Sequence, residues 1–250
     1  MGDNPVKPGT FTQPQPAGAE RRLCSFMNGK ITALQAQKRN PNRVSVFLDG
    51  EYAFGLSSIV AAWLQIGQFL DEQKINSLLE QDALEVGFQK ALNFISYRPR
   101  SAQEVQRRLR DYGYNEEQVE AILERLKQAK LVEDTEFARL WVENRSDFRP
   151  RSRRVMRIEL LQKGVSEEEI QTALGDVKED SALAYQAAIR YARRLRGLEW
   201  REFRERLGAF LVRRGFDYGT LNPVVRQVWD EIRSSGGGTP DSGNEEKEDV

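Results

Sequence analysis

The sequence predicts a mostly α-helical protein: three tandem three-helix repeats, preceded by a small β-hairpin-plus-helix N-terminal module. Three observations lead to this fold class. A β-rich run near the N-terminus contains an Asp-Gly turn, apolar residues beyond residue 82 recur at three- and four-residue spacing, and one pattern repeats every 51 residues. Because tandem repeats contact mainly their neighbours, we expect an elongated, curved body.

The two ends of the chain differ in composition from the rest. Residues 1–29 are rich in Pro, Gly, Gln and Asn without an apolar period, and residues 234–250 contain five acidic residues and one lysine. Such segments can bury too little apolar surface to fold, so we predict two disordered tails, of which the C-terminal one is acidic. Since the formal net charge of the whole chain is +0, the part between the tails is basic.

Residues 30–81 form the predicted N-terminal module. Strand-forming residues occupy 31–34, 43–48 and 51–56, and Asp49-Gly50 between the last two is a strong hairpin signal. Two helices follow in this prediction, at 57–64 and 71–80. Ser57 and Asp71 are placed as their N-caps.

The next part of the chain consists of repeats at 82–134, 135–178 and 179–233. Gly113, Gly164 and Gly215 are spaced 51 residues apart, and the apolar residues around them recur at the same interval. Glycine suits the left-handed position after a helix, so each glycine is predicted to end the second helix of its repeat. The predicted helices are 82–96, 101–112 and 115–130, then 135–147, 152–163 and 166–176, then 179–196, 199–214 and 217–233.

Polar residues in front of these helices predict where each one begins. Short side chains that accept hydrogen bonds from a helix's first turn are favoured there. The predicted caps are Ser101, Asn115, Ser152, Ser166 and Asp217. Arg98-Pro-Arg100 and Arg149-Pro-Arg151 directly precede Ser101 and Ser152. Because proline interrupts a helix, each of these segments is predicted to end the helix before it. Asp134 is interpreted as part of the N-cap region of the helix that follows it.

Composition excludes several classes of function. The chain has no histidine and one cysteine, Cys24, so imidazole bases, Ser-His-Asp or Cys-His catalysis, His-ligated zinc and an internal disulfide are excluded. It has no glycine-rich phosphate loop. We therefore predict that it is not an enzyme and holds no cofactor or metal. Without an apolar run of ~20 residues or a secretion signal, we expect a cytoplasmic protein that does not enter a membrane.

Arginine clusters are the candidate binding residues. Six arginines and a single acidic residue, Asp147, occupy 145–157, so their mutual repulsion is uncompensated locally unless a polyanion binds. Arginine also suits bidentate phosphate contacts better than lysine. The candidates are Arg98, Arg100, Arg107, Arg108, Arg145, Arg149, Arg151, Arg153, Arg154, Arg157, Arg213 and Arg214. By contrast, Arg201, Arg204 and Arg206 alternate with glutamates and are interpreted as a solvated helix face.

Most aromatic residues of the repeats are interpreted as core residues, because they recur at helical spacing among apolar residues. They are Phe137, Trp141, Trp200, Phe203, Phe210 and Trp229. Tyr97, beside Arg98-Pro-Arg100, is left open between core and surface.

Several segments, taken in order, resemble the regulatory protein RecX family. They are Ala91-Leu92, Ser96-Tyr-Arg-Pro-Arg-Ser101 with Glu104 and Leu109, Leu131-Val-Glu-Asp134 with Phe137-Ala138, Glu159-Leu-Leu-Gln-Lys-Gly164 and Arg213-Arg-Gly-Phe216. The resemblance covers about 60% of the chain, from about residue 85 to 232. The chain departs from the common family pattern at Leu131-Val-Glu-Asp134, where two aspartates are more usual, and at Asn93-Phe-Ile95.

The resemblance implies a non-enzymatic modulator of the RecA recombinase. Such proteins lie in the groove of the RecA filament on single-stranded DNA and typically inhibit ATP hydrolysis, strand exchange and coprotease activity. DNA repair, recombination and the SOS response would be affected. We expect a monomer that binds the RecA filament and single-stranded DNA, with double-stranded DNA left open as a further ligand.

Two other classes of function stay open at this point. One is a general nucleic-acid-binding helical-repeat protein that acts independently of RecA, and the other is a helical-repeat scaffold for a protein partner. Salt-sensitive binding to DNA alone distinguishes the first from the second.

Overall fold

The structure, a computed structural model, describes residues 28–175 and 177–236. Most of the two predicted tails, including Cys24, lies outside these residues. The chain divides into two compact units, Met1–Lys90 and Ala91–Val250. Helices dominate the described residues, and a small antiparallel sheet lies near the N-terminus, which confirms the predicted fold class. The repeat boundaries stay predictions.

The first unit contains a four-stranded antiparallel sheet with the order β3-β2-β1-β4. The strands are β1 (Gly29–Gln37), β2 (Asn40–Leu48), β3 (Glu51–Ser57) and β4 (Phe69–Leu70). Asp49 and Gly50 connect β2 to β3, and both have positive φ, 48° and 92°. This is the backbone conformation that the Asp-Gly hairpin signal requires, so the predicted hairpin is confirmed. The short β4 was not predicted.

The sheet buries one face against helical residues of the same unit. Ile31, Leu48, Leu56 and Leu70 are almost fully buried, and Ile75 completes the cluster from the next helix. These strand residues alternate with more exposed ones, as expected for a sheet with one covered face.

The helix predicted at 57–64 is shorter than expected, and the prediction of two separate helices between 71 and 96 was wrong. Helix α1 covers only Ser58–Ala61, and the Ser57 side chain makes no cap hydrogen bond. A single helix, α2 (Glu72–Ser96), replaces the two helices predicted at 71–80 and 82–96. The Asp82 carboxylate, which the prediction placed at a helix start, accepts hydrogen bonds from the Ser57 backbone and from Arg43 Nη2 at 2.9 Å. With no glycine or proline at this point, nothing interrupts α2.

Eight further helices follow, and together with α2 they make three successive groups of three helices, as predicted. They are α3 (Ala102–Asp111), α4 (Glu116–Gln128), α5 (Asp134–Phe148), α6 (Arg153–Leu161), α7 (Glu167–Gly175), α8 (Asp180–Ala192), α9 (Trp200–Arg213) and α10 (Tyr218–Gly236). Helix α8 ends four residues earlier than predicted, and α10 extends three residues beyond the predicted Arg233. None of the described helices is long and apolar enough to span a membrane.

The predicted helix boundaries around the repeated glycines are confirmed. Gly113, Gly164 and Gly215 have φ of +88°, +79° and +90°. Ser101 and Asn115 form capping boxes with the residues three positions later. The predicted caps Asp71, Ser152, Ser166 and Asp217 also accept hydrogen bonds from the first turns of their helices.

Asp134 lies at the start of α5, in the N-cap region where it was predicted, but its side chain caps another helix. It is the first residue of α5, but its Oδ1 accepts a hydrogen bond from the backbone N–H of Ala102, at the start of α3, at 2.8 Å. Asp180, the first residue of α8, likewise accepts from the N–H of Arg153 at the start of α6, at 2.9 Å. Helices α3 and α6 are therefore each capped by the carboxylate of the first residue of a later helix, α5 or α8.

The main core of the second unit joins residues of α5 through α10. Phe203, Leu183, Met156 and Leu160 are almost fully buried. The aromatic residues interpreted as core lie in or against this cluster: Phe137 and Phe203 are buried, and Trp141, Trp200, Phe210 and Trp229 are partly buried. That interpretation is confirmed.

Candidate nucleic-acid interface

The candidate arginines of the first repeat lie around the turn between α2 and α3. Arg98 makes a two-point ion pair with Glu104, with distances of 3.0 Å and 3.3 Å. Glu104 also binds Lys163 Nζ at 2.6 Å. Burial raises the pKa of Glu104, but hydrogen bonds from Arg98 and Lys163 outweigh it and hold the pKa below its ordinary value. Arg98 is thus largely neutralised.

Arg100 and Arg108 lie on aromatic rings instead. Their guanidinium carbons are 4.0 Å and 5.7 Å from the centre of the Phe94 ring, and Arg108 is 4.6 Å from that of Tyr112. Burial, together with the charge of Arg98, lowers the pKa of Arg100. Arg107 is exposed and makes no ion pair with another described residue. The first turn therefore keeps uncompensated positive charge at several guanidinium groups.

Glu159 neutralises two candidate arginines of the second repeat. Its Oε2 accepts from Arg145 Nε at 2.8 Å and from Trp141 Nε1 at 2.9 Å. Its Oε1 lies 2.7 Å from Arg151 Nη1. Arg145 also lies over the Trp141 ring, 4.4 Å from the ring centre. This carboxylate fixes the orientation of both arginines.

Two more arginines of this run are engaged with acidic residues from other elements. Arg153 Nη2 donates to the Leu174 carbonyl at 2.9 Å, and Arg153 Nη1 lies 3.5 Å from Glu179. Arg157 pairs with Glu167 at 2.7 Å. The expectation that the 145–157 run is locally uncompensated was wrong, because helix packing brings carboxylates from 159, 167 and 179 to it.

The remaining candidates keep their charge free. Arg149, Arg154 and Arg213 are exposed and form no ion pair with any residue that the structure describes. Arg214 is half-buried; it donates to the Pro150 carbonyl at 3.0 Å and lies over Phe210. Burial, then the charges of Arg151 and Arg149, lower the pKa of Arg214. Arg149, Arg151 and Arg214 therefore form one cluster of cations, and of these three Arg151 alone has a carboxylate partner among the described residues.

A chain of contacts connects the two Arg-Pro-Arg turns. Arg98 binds Glu104, which binds Lys163; Lys163 Nζ lies 5.5 Å from the centre of the Trp141 ring. Trp141 in turn shares Glu159 with Arg151. The predicted site residues at the two Arg-Pro-Arg turns thus form two groups that are linked by these contacts. Arg153 and Arg157 lie apart from them, since they bind α7 and Glu179.

Sequence analysis missed Arg190 and Arg194. Arg190 Nη1 donates to the carbonyl of Asp147 at 2.6 Å, and both arginines line a cleft with Arg214. It also passed over Phe148, and Tyr97 was left open; the structure leaves both side chains exposed. The 51-residue repeat could have pointed to both residues, because Tyr97 and Phe148 each directly precede Arg-Pro-Arg-Ser.

The three-helix units with their arginine-rich turns define a helical-repeat protein. Four family models match the chain: the regulatory protein RecX N-terminal domain at 29–71, and the first, second and third RecX three-helix domains at 88–126, 134–174 and 178–225. The chain belongs to the regulatory protein RecX family. The match at 29–71 includes the N-terminal module in the family, which the sequence resemblance did not cover.

Curated relatives and a solved structure agree with this membership. The chain is 32% identical to the regulatory protein RecX of Bacillus pumilus, over 80% of this chain and 78% of the relative. It is 33% identical to that of Bacillus licheniformis, over 79% and 77%. A crystal structure of a regulatory protein RecX matches with a TM-score of 0.63 at 28% identity, covering 80% of this chain and 98% of the other.

Proposed function

We propose that this chain regulates RecA by binding in the groove of the RecA filament on single-stranded DNA, and that it inhibits RecA. Membership of the RecX family implies a regulator of RecA and supports the first part. The chain would act as a monomer in the cytoplasm and without catalysis, and would reduce ATP hydrolysis, strand exchange and the SOS response.

The observation that carries the proposal is the cation cluster at the second Arg-Pro-Arg turn. Arg214 Nη1 donates to the carbonyl of Pro150, which lies between Arg149 and Arg151 in the chain, and the charges of these two arginines lower the pKa of Arg214. Arg154 and Arg213, nearby in sequence, have no ion pair among the described residues. Such a group is stabilised when an anion neutralises it, and a nucleic-acid backbone offers evenly spaced phosphates.

Inhibition requires a preference between filament states. A bound regulator shifts an equilibrium only by its difference in affinity for the two states. We propose that the predicted curved array of repeats binds an inactive or capped filament more tightly than the active one. Two linked groups of arginines, held by shared carboxylates, favour one fixed spacing of the anionic partner.

The test is single-stranded-DNA-dependent ATP hydrolysis by RecA from the same organism, titrated with the purified chain. We expect the rate to fall well below one chain per RecA subunit. An unchanged rate at every ratio would overturn the proposal. If the chain still binds DNA in a salt-sensitive way, that result would instead support a general nucleic-acid-binding protein that is independent of RecA.

A further inference from the structure

Two exposed aromatic side chains occupy equivalent positions in the first two repeats. Tyr97 is 85% exposed and Phe148 is 73% exposed. They are 51 residues apart, and each is followed by Arg-Pro-Arg-Ser. We call residues 97–101 and 148–152 the aromatic-arginine turns. In the third repeat the equivalent residue is Glu199, so the feature occurs twice and is not imposed by the repeat fold.

The exposed ring of Phe148 borders a cleft lined mainly by cations and aromatic rings. The cleft has a volume of about 180 Å³. It is lined by Phe148, Pro150, Arg190, Tyr191, Arg194 and Arg214, among others. Phe210 also lines it, and its ring stacks in parallel on that of Tyr191 with the ring centres 4.0 Å apart. An exposed ring among arginines differs from the apolar surroundings expected of a contact with an apolar protein surface.

The first turn has the same composition. Tyr97 is followed by Arg98 and Arg100, and Arg100 lies over Phe94, one helical turn before Tyr97. Arg108, which belongs to α3 after the turn, also lies over the Phe94 ring. Arg98 is bound by Glu104, whereas no acidic partner is recorded for Arg108 among the described residues.

Acidic residues near the second turn do not cancel its charge. Glu159 already binds both Arg145 and Arg151. Asp147, next to Phe148 in sequence, lines a different cleft together with Arg139 and Lys178. Arg190 and Arg194, which line the cleft with Phe148, and Arg149, which follows Phe148 in the chain, are exposed and have no carboxylate partner in the described part of the chain.

We propose that Tyr97 and Phe148 stack on unpaired bases of single-stranded DNA, while the arginines beside each ring bind the adjoining phosphates. The inference deepens the proposed function and rests on it, since it takes the DNA strand of the filament as the ligand. Every base has a flat face that an aromatic ring can accept, so the site reads no sequence. Bases in a duplex are already stacked on each other, so the site prefers single strands.

The test compares two fluorescent oligonucleotides of equal length, an oligothymidylate and an abasic strand, bound by the purified full chain without RecA. Both carry the same phosphates, but only the first has bases. The variants are Phe148→Ala and Tyr97→Ala, and the matched control is Tyr218→Ala. Tyr218 is 70% exposed, lies in the third repeat and has no Arg-Pro-Arg after it.

We expect each of the two variants to weaken oligothymidylate binding about fivefold or more and to leave abasic binding unchanged. Tyr218→Ala should match the parent chain for both strands. Phe148→Trp and Tyr97→Phe should bind as the parent does, because they keep a ring; this separates lost stacking from a folding defect. Fluorescence anisotropy at fixed salt gives each dissociation constant.

Equal binding of both strands by the parent chain, or no loss in the alanine variants, would overturn the inference. Variants that bind DNA normally but lose their hold on the RecA filament would also overturn it and assign the rings to a protein contact. The proposed function fails separately, if the parent chain does not change RecA ATP hydrolysis while the base-dependent binding is present.

Discussion

Lys163 and Glu104 form an ion pair across the junction of the first two repeats, with 2.6 Å between Nζ and Oε1. The contact lies beside Gly164, where an added Cβ would press on Gln103. Gly215 is placed in the same way against Ser152 and Val155, one repeat later. The C-terminal end of α6 therefore packs on the first turn of α3, and the C-terminal end of α9 packs on the first turn of α6.

We expect the Glu104 ion pairs to stabilise the fold in a pH-dependent way. Glu104→Gln should lower the free energy of unfolding by about 1–2 kcal/mol at neutral pH. Because Arg98 and Lys163 hold the pKa of Glu104 below its ordinary value, this contribution is present above about pH 4.3, the unfolded pKa, and is lost as the pH falls through the folded one. Urea unfolding of parent and variant across this range measures it.

Glu143→Gln is the matched control for that experiment. Glu143 pairs with Arg139 on an exposed helix face, 3.4 Å away. Such pairs contribute about 0.5 kcal/mol or less. If the difference between the parent and Glu104→Gln does not shrink on acidification, the ion pairs are not its source.

The carboxylates of Asp134 and Asp180, which cap α3 and α6, should each stabilise the second unit. Asp134→Ala and Asp180→Ala remove the acceptors for the N–H groups of Ala102 and Arg153, and we expect a loss of about 1 kcal/mol from each. Thermal unfolding measures both.

Asp134→Asn separates the hydrogen bond from the charge. Burial raises the pKa of Asp134, so ionisation of this carboxyl costs free energy in the folded state; the cost begins as the pH rises above the ordinary pKa and is complete above the raised one. The amide keeps an acceptor without the charge, so the asparagine variant should equal or exceed the parent in stability at neutral pH. A loss as large as that of Asp134→Ala would contradict this account.

Gly215→Ala should destabilise the protein more than Gly113→Ala. Both glycines have positive φ, so alanine costs about 1–2 kcal/mol at either position. Only at Gly215 does the added methyl group also overlap Val155 and Ser152, which adds about 1–3 kcal/mol. Nothing lies within 4 Å of the Cβ position at Gly113. If urea unfolding gave the same loss for both variants, the end of α9 would not be in close contact with the start of α6.

Unpaired arginines, and not paired ones, should determine the salt dependence of DNA binding. Arg149→Ala with Arg154→Ala should reduce the slope of log binding constant against log salt by about 1.4 for a single strand, if each arginine binds one phosphate. Arg157→Ala is the control, because Arg157 pairs with Glu167. Titrations at several salt concentrations give the slope; an unchanged slope in the double variant would remove both residues from the interface.

Local signals explain what could be predicted. The glycines at 51-residue spacing, the caps that follow them and the Asp-Gly turn act through the backbone of a few neighbouring residues. The prediction of two helices between 71 and 96 was wrong, because local signals do not show contacts between residues distant in sequence. Asp82, where the second of these helices was predicted to begin, instead bonds to Ser57 and Arg43, which lie far away in sequence.

By itself the sequence determined the helical repeats, the N-terminal hairpin and the two Arg-Pro-Arg turns, because hydrophobic period, turn chemistry and capping are short-range. Only the tertiary structure decided which arginines stay free, since Glu159, Glu167 and Glu179 reach Arg151, Arg157 and Arg153 through helix packing. It also decided that Tyr97 and Phe148 face solvent and that Asp134 caps α3. Charge compensation and exposure depend on residues distant in sequence, so they follow from the packed fold.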